Sequence, residues 1–299
     1  MRILSRRFHL TILGSNSAVP AYGRFPTSQF LQVNNHNFLI DCGEGTQIRI
    51  AQYKVKRNSI SYIFISHLHG DHLYGLPGLI TSMALNGRTK PLHVYGPKGI
   101  KKFIDTVFEL SRVVLGFELE INEIETDDLE TILEFDDLKV SCFPVLHRLP
   151  TYGYRFDELL PEKNLLKSAL GEYKLSIDEM QRAKRGEDIP RGDNLIPNDL
   201  LTHPRPAPCS YAFCADSIAD TSLLPYIEAL TAMYFETTYL ADMQDQANAR
   251  GHATSVSAAL LAAKAKVRLL ITGHYSSRYR DLFRFKEEVE AHFSPAIIS

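Results

Sequence analysis

Long apolar runs are absent from this chain of 299 residues. No stretch reaches the ~18 to 20 apolar residues that a membrane-spanning helix needs, so we expect no association with a membrane. The N-terminal sequence MRILSRRFHLTILG has only a short apolar stretch, which is more typical of a first core strand than of a signal peptide. Together these absences predict a cytoplasmic protein.

Cysteine is scarce, and the four that occur, Cys42, Cys142, Cys209 and Cys214, include no pair separated by two residues. This spacing argues against a disulfide framework and against a zinc ribbon, so we expect small buried thiols in a reducing compartment. An excess of one charge is also absent, because the formal net charge is -2. A polyanionic substrate would therefore have to be recognised locally rather than by the overall charge of the protein.

Histidine, in contrast, is concentrated in the stretch ISHLHGDHLYGL, residues 65–76, where His67, His69, Asp71 and His72 fall within six positions. The alternative is that each imidazole is satisfied separately by one hydrogen bond. However, clustered imidazoles repel one another when charged and lose solvation when buried, unless a cation binds their lone pairs. The cluster therefore predicts a metal site.

The surrounding sequence predicts an α/β fold. FHLTILG and the two halves of SQFLQVNNHNFLIDCG are typical of strands, the latter joined by a turn at residues 34–37, and EGTQIRIAQYKV has helical spacing. ISYIFIS resembles a strand buried on both faces, and the helical stretch GDHLYGLPGLITSMAL follows the histidine cluster. The cluster should thus lie at the carboxyl end of a buried strand, where α/β folds bind ligands.

Three further polar residues follow predicted strands. His147 ends LKVSCFPVLHR, Asp216 lies in SYAFCADS, and His274 lies in VRLLITGHYSSRY. Each alone is a weak signal, but together they place metal ligands at one end of the sheets. The spacing predicts two cations, one bound by His67, His69 and His147 and the other by Asp71, His72 and His274, with Asp216 bridging them. Such a centre is suited to hydrolysis, with two zinc ions per chain and manganese as a substitute.

Residues 157–208 interrupt this pattern of strands. The segment is polar, and SIDEMQRAKRG is its one clear helix signal, with Ser176 and Glu179 forming a capping box and Gly186 ending the helix. We predict a single domain over residues 1–299 in which this segment is either a long surface excursion or a protruding arm that binds substrate.

Several motifs together resemble the ribonuclease Z family of the metallo-β-lactamase superfamily: LGSNSAVP, LIDCGEGTQ, HLHGDHLYGLPGL, VYGPKGI, HRLPTYGYRF and ARGHATSVSAALLAAKAKVRLLITGHYSSRY. The resemblance implies a four-layer αββα sandwich, a two-zinc centre and a homodimer in which the arm of one subunit grips precursor tRNA for the other. It implies an endoribonuclease that removes 3′ trailers, leaving a 3′-hydroxyl on the tRNA and a 5′-phosphate on the trailer.

The resemblance also implies roles for individual residues. Asp71 would orient or deprotonate the attacking water, and Asp41 would hold ligand histidines in place. His252 would protonate the leaving 3′ oxygen with Glu236 as its partner. Phe25 and Phe235 depart from the family, which has asparagine and histidine there. The alternatives are a metal-dependent phosphodiesterase or other hydrolase acting on a small substrate, and a non-catalytic RNA-binding protein.

Overall fold

The computed structural model describes residues 2–3, 8–159, 162–192, 194–204 and 207–299. The chain forms two compact units. The first comprises Met1–Leu133, Val140–Phe156 and Ser210–Ser299, and the second comprises Glu134–Lys139 and Asp157–Cys209. The segment 157–208 singled out from the sequence corresponds to most of the second unit, apart from residues 160–161, 193 and 205–206, which lie outside the described residues.

Two seven-stranded sheets form the framework. The first contains, in spatial order, β1 (Arg2–Ile3), β2 (Phe8–Gly14), β3 (Ser28–Val33), β4 (His36–Ile40), β5 (Tyr62–Phe64), β6 (Leu92–Pro97) and β7 (Leu119–Ile124). The second contains β8 (Glu130–Glu134), β9 (Leu138–Pro144), β10 (Tyr152–Glu158), β13 (Ser210–Cys214), β14 (Ala232–Glu236), β15 (Leu270–Gly273) and β16 (Ala296–Ile298), in that spatial order. Strands β4 to β7 are parallel, as are β13 to β16, so their carboxyl ends share an edge of each sheet.

Helices cover the outer faces of the sheets in the first unit. They are α1 (Thr46–Gln52), α2 (Gly70–Leu73), α3 (Leu76–Leu85), α4 (Ile100–Ser111), α7 (Leu224–Ile227), α8 (Gln244–Arg250), α9 (Ser255–Lys264) and α10 (Phe283–Glu290). Leu79, Ile80 and Ile104 pack on the first sheet, and Ala258, Ala262 and Val289 pack on the second. The two inner faces meet through aromatic rings, with 5.3 Å between the centroids of Phe38 and Phe156 and 5.0 Å between those of Phe64 and Tyr154. The predicted αββα sandwich is confirmed.

Local differences from the sequence prediction have physical causes. The turn between β3 and β4 occupies only residues 34–35, so His36 and Asn37 already belong to β4. The predicted helix after the histidine cluster is interrupted at Gly75 and forms α2 and α3 separately. The backbone of Gly75 lies against the preceding loop, where a Cβ atom would be 2.2 Å from the carbonyl oxygen of Gly43. This close approach is possible only for glycine.

The second unit is more ordered than the sequence predicts. It contains α5 (Lys167–Tyr173), the predicted helix α6 (Ile177–Arg185) with its capping box, and a hairpin of β11 (Ile189–Arg191) and β12 (Asn194–Ile196). Apolar side chains form a small core: Ala169, Leu175, Ala183, Ile189 and Leu201. The buried amide of Asn198 donates to the carbonyl oxygens of Ala183 and Glu187 at 2.8 and 2.9 Å. The sequence gives only one helix signal in this segment, because its few apolar residues are dispersed in sequence and meet only after folding.

Cys42, Cys142 and Cys214 are buried, whereas Cys209 is partly exposed, and all four have free thiols. Over the described ranges, no helix combines the length and the apolar composition required to cross a membrane.

Candidate metal centre

The predicted site residues converge at the carboxyl ends of the strands in the first unit. His67 and His69 follow β5, and their Nε2 and Nδ1 atoms are 2.9 Å apart. His147, from the loop after β9, places its Nε2 atom 3.4 Å from the same Nδ1 atom of His69. The Oδ2 atom of Asp216, after β13, is 3.6 Å from Nε2 of His67 and 4.0 Å from Nε2 of His147. These four side chains can bind one metal ion.

A second group lies on the other side of Asp216. The Nε2 atoms of His72 and His274 are 3.3 Å apart. Oδ2 of Asp71 lies 3.3 Å from Nε2 of His274 and 3.6 Å from Nε2 of His72. These three side chains form a second group that can bind a metal ion. The structure thus brings the seven residues predicted as ligands close together. A third group, formed by Asp216, Glu236, His252 and His274, also places possible ligand atoms within 4.8 Å of one another.

Asp216 faces both groups with different oxygen atoms. Its Oδ1 atom lies 3.0 Å from Nε2 of His274 and 3.3 Å from Nε2 of His72, whereas Oδ2 faces the first group. The carboxylate is only 2% exposed, and within the described part of the chain Oδ1 makes no hydrogen bond of acceptable geometry, although these two ring nitrogens lie close to it. A buried carboxylate oxygen without a hydrogen bond is costly, and a divalent cation would satisfy it. The geometry therefore fits a divalent-metal site with a shared carboxylate.

Hydrogen bonds on the outer sides of the rings fix their orientation. Nδ1 of His72 is 2.7 Å from Oδ2 of Asp41, which also accepts a hydrogen bond from Ser66 Oγ. Nδ1 of His147 is 2.7 Å from the carbonyl oxygen of Gly251, and Nδ1 of His274 is 2.9 Å from Thr238 Oγ1. Such contacts set the ring tautomer so that the inner nitrogen can bind a metal. Asp41 lies where the resemblance implied.

The sequence alone did not indicate three residues that contact the ligand histidines: Ser66, Thr238 and Gly251. Gly251 has φ +73°, and a Cβ atom there would lie 2.9 Å from Nδ1 of His147. The position of Gly251 directly before His252 in the GHAT motif was the one feature of the sequence that could have indicated its role. No sequence motif indicated Ser66 or Thr238, because the role of each depends on which histidine the fold places beside it.

The electrostatic environment lowers the pKa values of Asp71 and Asp216, and it lowers those of three imidazoles, His67, His69 and His147. Burial and the neighbouring His72 hold the pKa of His67 well below its ordinary value. Burial opposes the charge on Asp216, but His274 and His72 outweigh it and keep the pKa of the carboxyl low. Burial also disfavours charged His72, yet three carboxylates, that of Asp216 foremost, raise its pKa well above the ordinary range. A raised pKa means that protons and a metal ion compete for Nε2 of His72.

His252 and Glu236 form a pair beside the bridging carboxylate. Nδ1 of His252 lies 2.7 Å from Oε1 of Glu236, whose Oε2 accepts hydrogen bonds from the backbone N–H and hydroxyl of Thr238. Burial disfavours the imidazolium, but the Glu236 carboxylate outweighs it and raises the pKa of His252 to about 9. Since Nδ1 is engaged by Glu236, Nε2 is the nitrogen left to transfer a proton or bind a ligand.

The two departures from the family have structural explanations. Phe235 points into the helix-covered core of the second sheet, while Glu236, the next residue on β14, lies among the site residues. Phe25 packs beside Gly45, where a Cβ atom would be 2.4 Å from Phe25 Cδ1, and its ring centroid is 5.4 Å from Arg49 Cζ. Both phenylalanines contribute to packing.

A cavity of about 550 Å³ opens above the cluster, and its lining includes His69, Asp71, Asp216 and His252. Three exposed arginines also line it: Arg148, Arg250 and Arg278. Tyr239 orients two of them, since its hydroxyl accepts a hydrogen bond from Arg250 at 3.2 Å and its ring centroid is 5.0 Å from Arg278 Cζ. In the described part of the chain, ion pairs involve other arginines, such as Arg182 and Arg284. These guanidinium groups are suited to bind phosphate.

The chain is similar to known proteins over most of its length. The chain is 37% identical over 293 residues to "Ribonuclease Z" of Parabacteroides distasonis, covering 97% of this chain and 96% of that protein. It is 36% identical over 291 residues to "Ribonuclease Z" of Porphyromonas gingivalis, with 97% and 96% covered. The crystal structure of the short form of human tRNase Z has a TM-score of 0.68 at 23% identity, with 90% of this chain and 93% of that chain covered. A family model described as anti-Pycsar protein Apyc1 matches residues 8–154.

Proposed function

The chain belongs to the ribonuclease Z family, and from this membership we propose that it removes 3′ trailers from precursor tRNA as a metal-dependent endoribonuclease. The products are a 3′-hydroxyl on the tRNA and a 5′-phosphate on the trailer. The observation that supports this function most directly is the shared carboxylate of Asp216 between two histidine-rich groups, at the bottom of a cavity lined by arginines.

Two zinc ions per chain are the proposed metals, with manganese as a substitute. One ion would be held by His67, His69 and His147, and the other by Asp71, His72 and His274. Both ions would be held by Asp216. Histidine and carboxylate ligands suit zinc, and such ions supply Lewis-acid activation of water and neutralise charge on phosphate oxygens. Asp71 is proposed to orient or deprotonate the attacking water, and its Oδ2 atom accepts a hydrogen bond from the N–H of Ala18 at 2.8 Å, which fixes the carboxylate.

His252 is the proposed donor of the proton to the leaving 3′ oxygen, with Glu236 holding its ring. We expect His252→Ala to reduce turnover of precursor tRNA by about 10²- to 10⁴-fold, the usual contribution of a general acid. The metal content should be unchanged, because the ring is bound by Glu236 and lies outside the seven proposed ligands. Single-turnover cleavage and metal analysis of the same sample measure both quantities.

A substrate that does not need the proton provides the control. In bis(p-nitrophenyl) phosphate the leaving group departs without protonation, so His252→Ala should reduce its hydrolysis far less than that of precursor tRNA. Loss of a metal ion from the variant would instead make His252 a ligand. Equal losses on the two substrates would remove it from the role of proton donor.

We propose that the second unit binds tRNA, as the resemblance to the ribonuclease Z family implies. Its charges limit how strongly it can hold phosphates. Arg182 and Arg185 each lie 2.9 Å from Glu187, and Arg191 lies 3.1 Å from Glu179. Because these cations already have acidic partners, we expect few phosphate contacts and a log–log salt slope of only about −2 to −4, at ~0.9 per contact.

Excision of residues 160–207, which form most of this unit, tests the proposal. Backbone N–H of Glu158 donates to the carbonyl oxygen of Cys209 at 2.9 Å, so a short Gly-Ser linker can replace residues 160–207. Because remote contacts position the scissile phosphate, we expect the ratio of kcat/KM on precursor tRNA to that on bis(p-nitrophenyl) phosphate to fall at least about 10-fold. The full chain is the control, and an unchanged ratio would show that the unit does not contribute to tRNA recognition.

A cytoplasmic homodimer completes the proposal, and sedimentation at micromolar concentration would measure its mass. A hydrolase of small phosphodiesters is the alternative function. It predicts efficient turnover of bis(p-nitrophenyl) phosphate with precursor tRNA left intact.

A further inference from the structure

An exposed aromatic side chain lies at the cavity and has no part in the proposed chemistry. Tyr74, directly after α2, is 67% exposed and lines the same cavity as Asp71 and the three arginines. An aromatic ring exposed beside a polar cavity offers an apolar face to a ligand that enters the cavity.

The ring of Tyr74 is held in place by two neighbours. A Cβ atom on Gly70 would lie 2.3 Å from Tyr74 Cε2 and 2.7 Å from Cδ2, so the ring packs directly on the backbone of the HLHGDH loop. The ring of Phe103, on α4, is nearly parallel to it, with an interplanar angle of 17° and centroids 6.3 Å apart. A side chain fixed by backbone and by a second ring loses little conformational entropy when it binds a ligand.

The position of the ring determines which ligand suits it. The cavity has metal-binding groups at its base and arginines in its lining. In a phosphodiester bound there, the scissile phosphate would lie at the metal-binding groups and the flanking phosphates near the arginines. Besides its phosphate, each nucleotide carries a ribose and a base, and the base is the group with a flat aromatic face. Unpaired bases stack on exposed aromatic rings, and they do so with little dependence on sequence.

We propose that Tyr74, supported by Gly70 and Phe103, is a stacking site for the unpaired nucleobase adjoining the scissile phosphate. This inference rests on the proposed function and specifies how the substrate is positioned. It assigns recognition of the base to its aromatic face rather than to its hydrogen-bonding edge, so all four bases at that position should be accepted. A fixed base would hold the adjoining phosphate over the metal-binding groups.

Paired changes in enzyme and substrate provide the test. Precursor tRNAs with an abasic residue on one side or the other of the cleavage site would be cleaved by the full chain and by Tyr74→Ala. We expect one of the abasic substrates to lower kcat/KM about 10-fold for the full chain, and Tyr74→Ala to lower kcat/KM on normal tRNA by a similar factor. The variant acting on that abasic substrate should show little further loss beyond either single change. Tyr74→Phe should retain activity. Phe283→Ala is the matched control, because Phe283 is an aromatic side chain 76% exposed on α10 that does not line the cavity.

Fluorescence separates stacking from a general effect on folding. A 2-aminopurine at the sensitive position should be quenched when the chelator-treated full chain binds the precursor, and this quenching should be lost in Tyr74→Ala. If the full chain cleaves precursor tRNA but neither abasic residue matters, or if the losses simply multiply, the stacking site is refuted while the proposed function stands. If the full chain does not cleave precursor tRNA at all, the proposed function itself fails.

Discussion

Asp216→Ala is expected to abolish detectable turnover of precursor tRNA, a loss of about 10⁴-fold or more, and to weaken binding of both metal ions. The physical reason is that its two oxygens face different groups, with Oδ1 3.0 Å from Nε2 of His274 and Oδ2 3.6 Å from Nε2 of His67. Loss of a shared ligand therefore affects activation of water and neutralisation of the phosphate together. Metal analysis after gel filtration should give fewer than two ions per chain.

The same variant has a stability readout. A metal that binds only the folded chain raises the melting temperature by mass action, so added zinc should stabilise the full chain more than Asp216→Ala. Glu228→Ala is the matched control, since that carboxylate follows α7 and is exposed. If Asp216→Ala retained two ions per chain and near-normal turnover, the shared-carboxylate assignment would be wrong.

Asp71→Ala should also lose turnover, by at least about 10²- to 10⁴-fold, because it removes both a proposed ligand and the carboxylate that acts on the attacking water. Binding of precursor tRNA should remain, because the arginines and the second unit are untouched. Filter binding together with single-turnover cleavage distinguishes these effects. A defect confined to tRNA affinity would exclude Asp71 from the chemistry.

The sequence was most informative where structure depends on neighbours along the chain. The HLHGDH cluster indicated a metal site because its residues are adjacent, and the strand patterns before His147, Asp216 and His274 predicted that they end at one edge of the fold. The structure brings these residues together, with all ligand atoms of each group within 4.8 Å of one another. The capping box at Ser176 was equally predictable, since its two hydrogen bonds span three residues.

Features that depend on distant pairing were not accessible in this way. The contact between Thr238 and His274 joins residues 36 positions apart, and neither residue type indicates the other. At the break before α3 the backbone of Gly75 packs against that of Gly43, and the core of the second unit joins residues as distant as Ala169 and Leu201. Orientation of Arg250 and Arg278 by Tyr239 likewise depends on packing. Local patterns predict elements and their ends, whereas these contacts follow from how the elements assemble.

The most direct test of the central claim is to map the products of a precursor tRNA incubated with the purified, metal-loaded chain. The precursor would be labelled at either end, and the termini would be identified by ligation and phosphatase sensitivity. We predict a single cut after the discriminator nucleotide, with a 3′-hydroxyl on the tRNA and a 5′-phosphate on the trailer, lost on chelation and restored by zinc or manganese. An intact precursor alongside rapid hydrolysis of bis(p-nitrophenyl) phosphate would contradict the account.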